Sequence, residues 1–274
     1  MSSTIIFLHI PKSAGTTLHR IIDRQYRQDE DIFVYRPRKF LEETSFDRRQ
    51  KARMVRGHLW YGLHEEIPNP STYMTILRDP VKRVLSLYKH ALWDPHHTMH
   101  QIANQHTLGE LIEQQHHKES FDNAQLRMVT GIWDAVPFGG CTTAHLDQAK
   151  ILLQERFSIV GTMAQFDETL LLMQEAYRWR YLYYTKHNTG KTTPTPRTTP
   201  DPHTLTLIES CNQLDHQLYQ FAHTLCQTEI DKRGPAFQQK LTRFRRRNHW
   251  LSPFHRLYWQ LTKISIRQLI SPKT

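Results

Sequence analysis

The sequence predicts an α/β protein with three layers, in which a central parallel sheet is flanked by helices. Two strand, loop and helix units indicate this fold. In the first, the β-branched apolar run at residues 4–10 precedes a loop and a segment in which Leu18, Ile21 and Ile22 recur at helical spacing. In the second, the run STYMTIL at 71–77 precedes a helix-like run at 78–93. Strands that alternate with helices favour a parallel sheet whose ligands bind at the carboxyl ends of the strands.

The other elements follow in chain order from the same periodicities. Asp79 is suited to cap the second helix, and Pro80 fits its first turn, where a missing N–H costs nothing. The rest of the chain predicts, in order, a strand at 31–35, a charged helix at 39–52, a strand at 53–59, mainly helical structure at 107–157, a strand at 157–163, a helix at 167–179, a Pro- and Thr-rich loop at 189–202 and a long helix at 203–230.

The positive charge of the chain is confined to its C-terminal part. The 274 residues carry a formal net charge of +10. Residues 232–274 contain 11 Lys or Arg and no Asp or Glu, which leaves 25 basic against 26 acidic residues in positions 1–231. We therefore predict a nearly neutral domain at 1–231 and a basic amphipathic tail at 232–274, and only the tail supports arguments from charge.

The lack of a recognisable targeting signal, together with the cysteine usage, predicts a cytoplasmic protein. The apolar run at 4–10 is too short for a signal peptide and is not followed by a small-residue cleavage site. No window approaches the roughly 18 apolar residues of a spanning helix. Cys141, Cys211 and Cys226 are widely spaced, which fits a reducing compartment better than a disulfide framework.

The loop HIPKSAGTTLHR at residues 9–20 joins the first predicted strand to its helix and has the composition of a phosphate-binding loop. The first N–H groups of a helix point outward and carry partial positive charge, so a glycine-containing turn there binds phosphate. The loop of nucleoside triphosphate enzymes is GxxxxGK[ST], with lysine after the last glycine. Here Lys12 stands three residues before Gly15, and Thr16 follows that glycine. The fold is therefore P-loop-like, but the triphosphate loop does not match.

The segment IPKSAGTTL resembles the 5′-phosphosulfate loop of sulfotransferases that use 3′-phosphoadenosine 5′-phosphosulfate (PAPS), particularly those that act on carbohydrates. The resemblance implies that Lys12 lies against the phosphate and the bridging oxygen, and that backbone and hydroxyl donors come from Ser13, Ala14, Gly15, Thr16 and Thr17. LRDPVKRVLSLY at 77–88 resembles the segment in which that family binds the 3′-phosphate, with Arg78 and Ser86 in the binding positions. Arginine offers a planar fork of donors that suits a phosphate.

Further segments extend the resemblance to heparan sulfate 2-O-sulfotransferase-like and related bacterial carbohydrate sulfotransferases over residues 4–230. They are GHLWYGLHEEIP at 57–68, FDNAQLRMVTG at 121–131, SIVGTMAQFDETLLLM at 158–173 and KHNTG at 186–190. Gln165 departs from the glutamate of many relatives. The resemblance implies transfer of a sulfuryl group from PAPS, with release of adenosine 3′,5′-bisphosphate, to a carbohydrate hydroxyl, and it implies no metal.

Sulfuryl transfer to a hydroxyl requires a base, and a histidine titrating near neutrality suits this role. His58, in a GH pair at the end of a predicted strand, resembles the catalytic histidine of the 2-O and 6-O carbohydrate enzymes. Lys12 is predicted to stabilise the charge that grows on the departing phosphate. The alternative bases are His64, Glu65 and Glu66. His9, a strand residue beside the loop, is expected to pack.

Other polar residues keep two interpretations each. The histidines at 96, 97, 100 and 106 lack the cysteine or carboxylate pattern of a metal site, which favours a solvated loop or an acceptor-facing surface. Asn123 and Arg127 either touch a ligand or tie their helix to its neighbours. Asn188 and Lys191 open either a lid over the donor or an idle surface loop.

The tail has apolar residues near helical spacing among basic ones at 240–270. Such a helix could lie on an anionic membrane, grip a polyanionic glycan or cover an apolar patch of the body. Nucleic acid is an unlikely partner because no recognisable nucleic-acid module accompanies the tail. Two functions compete with the sulfotransferase: a nucleotide kinase or other P-loop phosphotransferase, and a non-enzymatic protein that binds anionic polymers through the tail.

Overall fold

The computed structural model describes residues 3–185 and 199–262, and it confirms the predicted three-layer α/β fold. One parallel sheet runs in the strand order β2-β3-β1-β4-β5. Its strands are β1 (Thr4–Leu8), β2 (Asp31–Val34), β3 (Met54–Gly57), β4 (Ser71–Leu77) and β5 (Phe157–Thr162). All five residues of β1 are buried, as expected for a central strand covered on both faces.

Helices cover both faces of this sheet and extend beyond one side of it. In chain order they are α1 (Gly15–Ile22), α2 (Phe40–Glu43), α3 (Phe46–Lys51), α4 (Pro80–Trp93), α5 (His100–Gln105), α6 (Leu108–Glu113), α7 (Lys118–Phe121), α8 (Ala124–Thr130), α9 (Thr143–Glu155), α10 (Phe166–Tyr177), α11 (Pro202–Cys211), α12 (Gln213–Asp231) and α13 (Gly234–Thr262). The core on one sheet face includes Leu18 of α1 and Leu170 of α10, and the core on the other includes Leu126 of α8 and Leu146 of α9.

The register of the strands brings their carboxyl ends together. Leu8 at the end of β1 pairs with Gly57 at the end of β3 and with Thr75 near the end of β4. The segments that follow these three strands therefore leave the sheet at one edge. They carry the phosphate-binding loop, His58 and Arg78, so the topology places the predicted site residues side by side.

Two predicted helices are interrupted. The charged helix at 39–52 is split into α2 and α3, because the hydroxyl of Ser45 accepts a hydrogen bond from the backbone N–H of Arg48 and caps α3. The long helix at 203–230 is split into α11 and α12 at Asn212, whose side-chain amide donates to the carbonyl oxygen of Phe121. The predicted loop at 189–202 lies mostly outside the described residues.

The beginning of the basic tail packs against the body. Phe237, Leu241 and Phe244 of α13 are buried in the same core as α10. Arg245 forms ion pairs with Asp167 and Glu168 of α10. This part of the tail therefore covers an apolar patch of the body, one of the three roles expected of it. None of the helices in the described ranges has a stretch long and apolar enough to cross a bilayer.

Candidate active site

The phosphate-binding loop connects β1 to α1 through two residues in the left-handed region, Lys12 (φ 70°) and Ala14 (φ 60°). Such angles are uncommon for residues other than glycine, and strain of this kind is concentrated at functional sites. Ala14 occupies the N-cap position of α1, and no side chain caps this end. The first N–H groups of α1 are therefore not shielded by a cap and are suited to hold an anion.

Ser13 is fully buried, and its hydroxyl has no hydrogen-bond partner among the described residues. An enclosed polar group without a partner costs about 1–3 kcal/mol. A phosphate oxygen held in the loop would supply the missing partner, so this orphaned hydroxyl fits the predicted anion.

Lys12 is partly buried, and its pKa is lowered to about 8. Loss of hydration is the largest cause, the nearby Arg78 guanidinium adds to it, and Asp94 opposes it. The ammonium group therefore still carries its charge over most of the neutral range. A bound anion would stabilise that charge further.

Arg78 directly follows β4, and its guanidinium turns back to the phosphate-binding loop. It donates a hydrogen bond to the carbonyl oxygen of Lys12 over 2.7 Å. Gln125 of α8 fixes the backbone of Arg78 at both ends, because the Gln125 amide accepts from the Arg78 N–H and donates to the Arg78 carbonyl oxygen. The two predicted phosphate anchors, Lys12 and Arg78, are thus adjacent.

His58 follows β3 at the same edge of the sheet. The residue keeps solvent-accessible surface, and its ring centroid lies 4.7 Å from that of His9. Its pKa is lowered to about 4, chiefly by loss of hydration among the surrounding protein atoms and then by the charge of Lys12. His58 is therefore neutral at physiological pH and has a lone pair with which to accept a proton.

Comparison with known proteins decides the family. A family model described as galactose-3-O-sulfotransferase matches residues 2–254. The chain belongs to this sulfotransferase family. It is also 32% identical over 91 residues to a protein-tyrosine sulfotransferase from Arabidopsis thaliana, and this match covers 32% of the chain and 17% of that protein. The sulfotransferase family predicted from the sequence is confirmed.

The alternative bases of this sulfotransferase lie apart from its phosphate-binding loop. His64 packs against Tyr73, whose hydroxyl lies 3.0 Å from its Nδ1. Tyr73 is the third residue of β4 and so lies near the amino end of that strand. The carbonyl oxygen of Glu66 accepts a hydrogen bond from Arg49 of α3. The segment that holds His64, Glu65 and Glu66 thus runs back along the sheet toward its amino ends. The geometry favours His58.

A row of hydrogen-bonded polar side chains leads from Arg56 to the candidate site. The Arg56 guanidinium donates to both carboxylate oxygens of Asp31, to Asp23, and to the carbonyl oxygen and Nδ1 of His19. These contacts occupy all five of its donors. Nε2 of His19 lies 3.1 Å from Nδ1 of His9, whose ring touches His58.

The direction of these hydrogen bonds fixes the tautomers of the two buried histidines. Because arginine cannot accept, Nδ1 of His19 must accept, and burial keeps the pKa of His19 and of His9 well below 6.5. The proton of His19 is then on Nε2 and is donated to Nδ1 of His9, whose own proton is on Nε2. His9 therefore packs, as expected, and its Nε2 lies against Gly15 in the space that a Cβ there would fill.

Three residues that the sequence analysis did not connect with the donor site lie near Lys12 and His58. They are His90 at the end of α4, Asp94 and His97. Loss of hydration is the largest cause that lowers the pKa of His90 to about 4, and the charge of Lys12 adds to it; both also lower the pKa of His97. The signal was present in the sequence, since His90 follows the predicted phosphate-binding residue Ser86 by four positions and so shares its face of α4.

Asn123 and Arg127 have structural partners. Arg127 is fully buried, ion-paired with Asp122, and donates to the carbonyl oxygens of Val136 and Pro137. The side-chain oxygen of Asn123 accepts from the backbone N–H of Asp215. These contacts favour the interpretation in which both residues tie α8 to its neighbours. Asn188 and Lys191 lie outside the described residues.

The remaining predicted phosphate-binding residues differ in their exposure to solvent. Thr16 is exposed on the first turn of α1, Thr17 is half-buried beside it, and Ser86 is half-buried on α4. Within residues 3–185 and 199–262, no three His, Cys, Asp or Glu side chains are grouped so that they could hold a metal ion.

Proposed function

We propose that the protein transfers the sulfuryl group of PAPS to a hydroxyl of a carbohydrate, with His58 as the general base. The observation that carries this proposal is the contact between Arg78 and the backbone of Lys12. PAPS has a 5′-phosphosulfate and a 3′-phosphate. It therefore needs two anion-binding subsites close together. The buried hydroxyl of Ser13, which has no partner in residues 3–185 and 199–262, supports the first, and the guanidinium of Arg78 supports the second.

When bound, PAPS supplies an activated sulfuryl group and a phosphate leaving group. Lys12 holds positive charge against the leaving oxygen, and the backbone N–H groups at Gly15 and Thr16 hold the phosphate at the start of α1. Arg78 and Ser86 bind the 3′-phosphate. His58, neutral and open to the site, takes the proton of the acceptor hydroxyl as that oxygen attacks sulfur.

A carbohydrate acceptor is supported by the family model, which spans nearly the whole chain and is named for galactose. The relative that is named for protein tyrosine matches only 32% of the chain. A nucleotide kinase is less well supported, because a kinase loop requires a lysine directly after the glycine and this chain has Thr16 after Gly15.

The first experiment measures stabilisation against heat by adenosine 3′,5′-bisphosphate and by ATP. We expect the bisphosphate to stabilise the wild type more than ATP does, and Lys12→Ala to lose this effect. Thermal stabilisation by ATP that equals or exceeds that of the bisphosphate would overturn the donor assignment.

The second experiment measures transfer of radioactive sulfur from PAPS to β-galactosides and, in parallel, to an acidic tyrosine peptide. We expect transfer to the galactosides. His58→Ala should abolish turnover while the affinity for the bisphosphate stays close to that of the wild type. Transfer to the peptide alone would overturn the carbohydrate acceptor but not the donor.

A further inference from the structure

The side chain of Gln125 pairs with both backbone polar groups of Arg78. Its oxygen accepts from the Arg78 N–H over 2.9 Å, and its amide nitrogen donates to the Arg78 carbonyl oxygen over 2.8 Å. Two residues on antiparallel strands exchange the same pair of bonds, so Gln125 acts on Arg78 as a further strand would where β4 ends. A backbone N–H only donates and a carbonyl oxygen only accepts, which fixes the orientation of the amide.

Asp215, in the first turn of α12, holds the helix that carries Gln125. Its two carboxylate oxygens accept the backbone N–H groups of Gln125 and Leu126 over 3.0 and 2.7 Å. The side chain of Asn123, the N-cap residue of α8, does not cap this end, so Asp215 satisfies the N–H groups in its place. The oxygen of the Asn123 side chain accepts in turn from the Asp215 N–H over 2.9 Å. The start of α8 is therefore fixed to α12.

The contacts continue from Arg78 to the phosphate-binding loop. The guanidinium donates to the carbonyl oxygen of Lys12 over 2.7 Å. Each step from Asp215 through Gln125 and Arg78 to this loop is thus a hydrogen bond of 3.0 Å or less. Asp215 and Gln125 are both fully buried, so water cannot replace either of them without a rearrangement of the interior.

The position of the Arg78 backbone determines where its guanidinium can meet a ligand. A guanidinium binds a phosphate through two parallel hydrogen bonds only when the two planes and the distance match. Supporting residues must hold such a group within about 0.5 Å of its productive position. Arg78 is half-buried and lies between a strand and a helix, and Gln125 supplies the pair of bonds that holds it there.

We propose that Gln125, held by Asp215, is the positioning residue through which the site prefers nucleotides with a 3′-phosphate. The inference rests on the proposed function, in which Arg78 binds that phosphate. Gln125 is fully buried and therefore acts through Arg78 and not by touching the nucleotide. Its loss weakens the binding of a nucleotide that has the 3′-phosphate and spares one that lacks it.

Two nucleotides that differ only in this group test the role, adenosine 3′,5′-bisphosphate and adenosine 5′-monophosphate. Gln125→Met keeps the approximate size of the side chain and removes both hydrogen bonds to Arg78. We expect it to weaken the binding of the bisphosphate roughly tenfold, the equivalent of about one hydrogen bond, and to leave the binding of the monophosphate unchanged. Titration calorimetry measures both affinities.

Thr130→Val is the matched control on the same helix. Thr130 is buried, and its hydroxyl donates to the carbonyl oxygen of Leu126, inside α8. This variant should lower the melting temperature and leave the ratio of the two affinities as in the wild type. In the Arg78→Ala background, Gln125→Met should cause no further loss of bisphosphate affinity, because Gln125 acts through the guanidinium.

Two milder variants cover the case in which Gln125→Met does not fold. Gln125→Asn keeps the amide but shortens the side chain by one methylene group, and Asp215→Asn removes one acceptor from the start of α8. Both should shift the affinity ratio in the same direction by a smaller factor.

Three results would overturn the inference. They are a wild-type ratio in a folded variant of Gln125 or Asp215, equal losses for both nucleotides, and a further loss in the Arg78→Ala background. A failure of the proposed function would differ, because the wild type itself would then bind the bisphosphate no more tightly than the monophosphate.

Discussion

The guanidinium of Arg78 donates a hydrogen bond to the carbonyl oxygen of Lys12, although 66 positions separate the two residues in the chain. The contact forms because β1 and β4 are neighbours in the sheet and end at the same edge. A single side chain thus braces the strained loop and presents positive charge beside it. The following predictions test how the site depends on this and related contacts.

Arg78→Ala should weaken binding of adenosine 3′,5′-bisphosphate by about 1.5–3 kcal/mol, the range for hydrogen bonds to charged groups. Arg78→Lys should recover only part of this loss, because an ammonium group lacks the planar fork. Titration calorimetry measures both. Lys82→Gln, which changes an exposed charge on α4, is the control and should bind as the wild type does. Equal affinity in Arg78→Ala would remove this residue from the donor site.

Gly15→Ala should destabilise the protein by about 1–3 kcal/mol, since an added Cβ would lie 1.9 Å from the His9 ring. In the double variant with His9→Ala, the added methyl group has room. Urea unfolding of the four proteins should therefore give a coupling energy of roughly 1–3 kcal/mol. Additive effects would show that the ring of His9 is not what requires glycine at residue 15.

Affinity for the bisphosphate should fall as the pH rises above about 8, the pKa of Lys12 in the free protein. The bound anion raises this pKa, so binding takes up a proton above pH 8, and the dissociation constant should increase by up to about tenfold per pH unit there. Lys12→Arg stays charged and should show a flatter profile between pH 7 and 9. Parallel profiles for the two proteins would mean that another group titrates.

Leu241→Ala in α13 should lower the free energy of unfolding by about 2–5 kcal/mol, because this side chain is buried in the core. A chain that ends after residue 251 should unfold at nearly the wild-type denaturant concentration, whereas one that ends after residue 231 should not fold stably. If the chain that ends after residue 231 were as stable as the wild type, the basic tail from residue 232 would not be part of the folded domain.

The exposed residues Arg243, Arg246, Arg247 and Trp250 of α13 test the two remaining alternatives for the tail, an anionic membrane and a polyanionic glycan. We expect co-sedimentation with vesicles that contain phosphatidylglycerol, and its loss on replacing the three arginines by glutamine. Trp250→Ser should weaken vesicle binding but leave heparin binding unchanged, because only a membrane offers an apolar layer to the indole. Arg27→Gln, an exposed site on the body, is the control.

The sequence predicted those parts of the candidate site that lie at the ends of strands. The loop at Lys12, Arg78 and His58 were singled out by the family resemblance, and they lie together because parallel strands end at one edge of the sheet. The contact of His9 with Gly15 and the group at His90 were not predicted. Both depend on how α1 and α4 pack on the sheet, and a packing angle is set by many contacts distant in sequence. The break at Asn212 was missed because its partner, Phe121, lies 91 positions away.

The saturated guanidinium of Arg56 restricts which sequences this fold tolerates. Lysine would keep the charge but offers three donors, so at least two of the five acceptors around residue 56 would lose their partners. An isolated replacement of Asp31 or His19 leaves the opposite mismatch, a donor of Arg56 without its acceptor in the interior, whereas Asp23 is exposed and water can replace its carboxylate. Arg56, Asp31 and His19 are therefore expected to change together, and a functional variant library should randomise these three positions as a set.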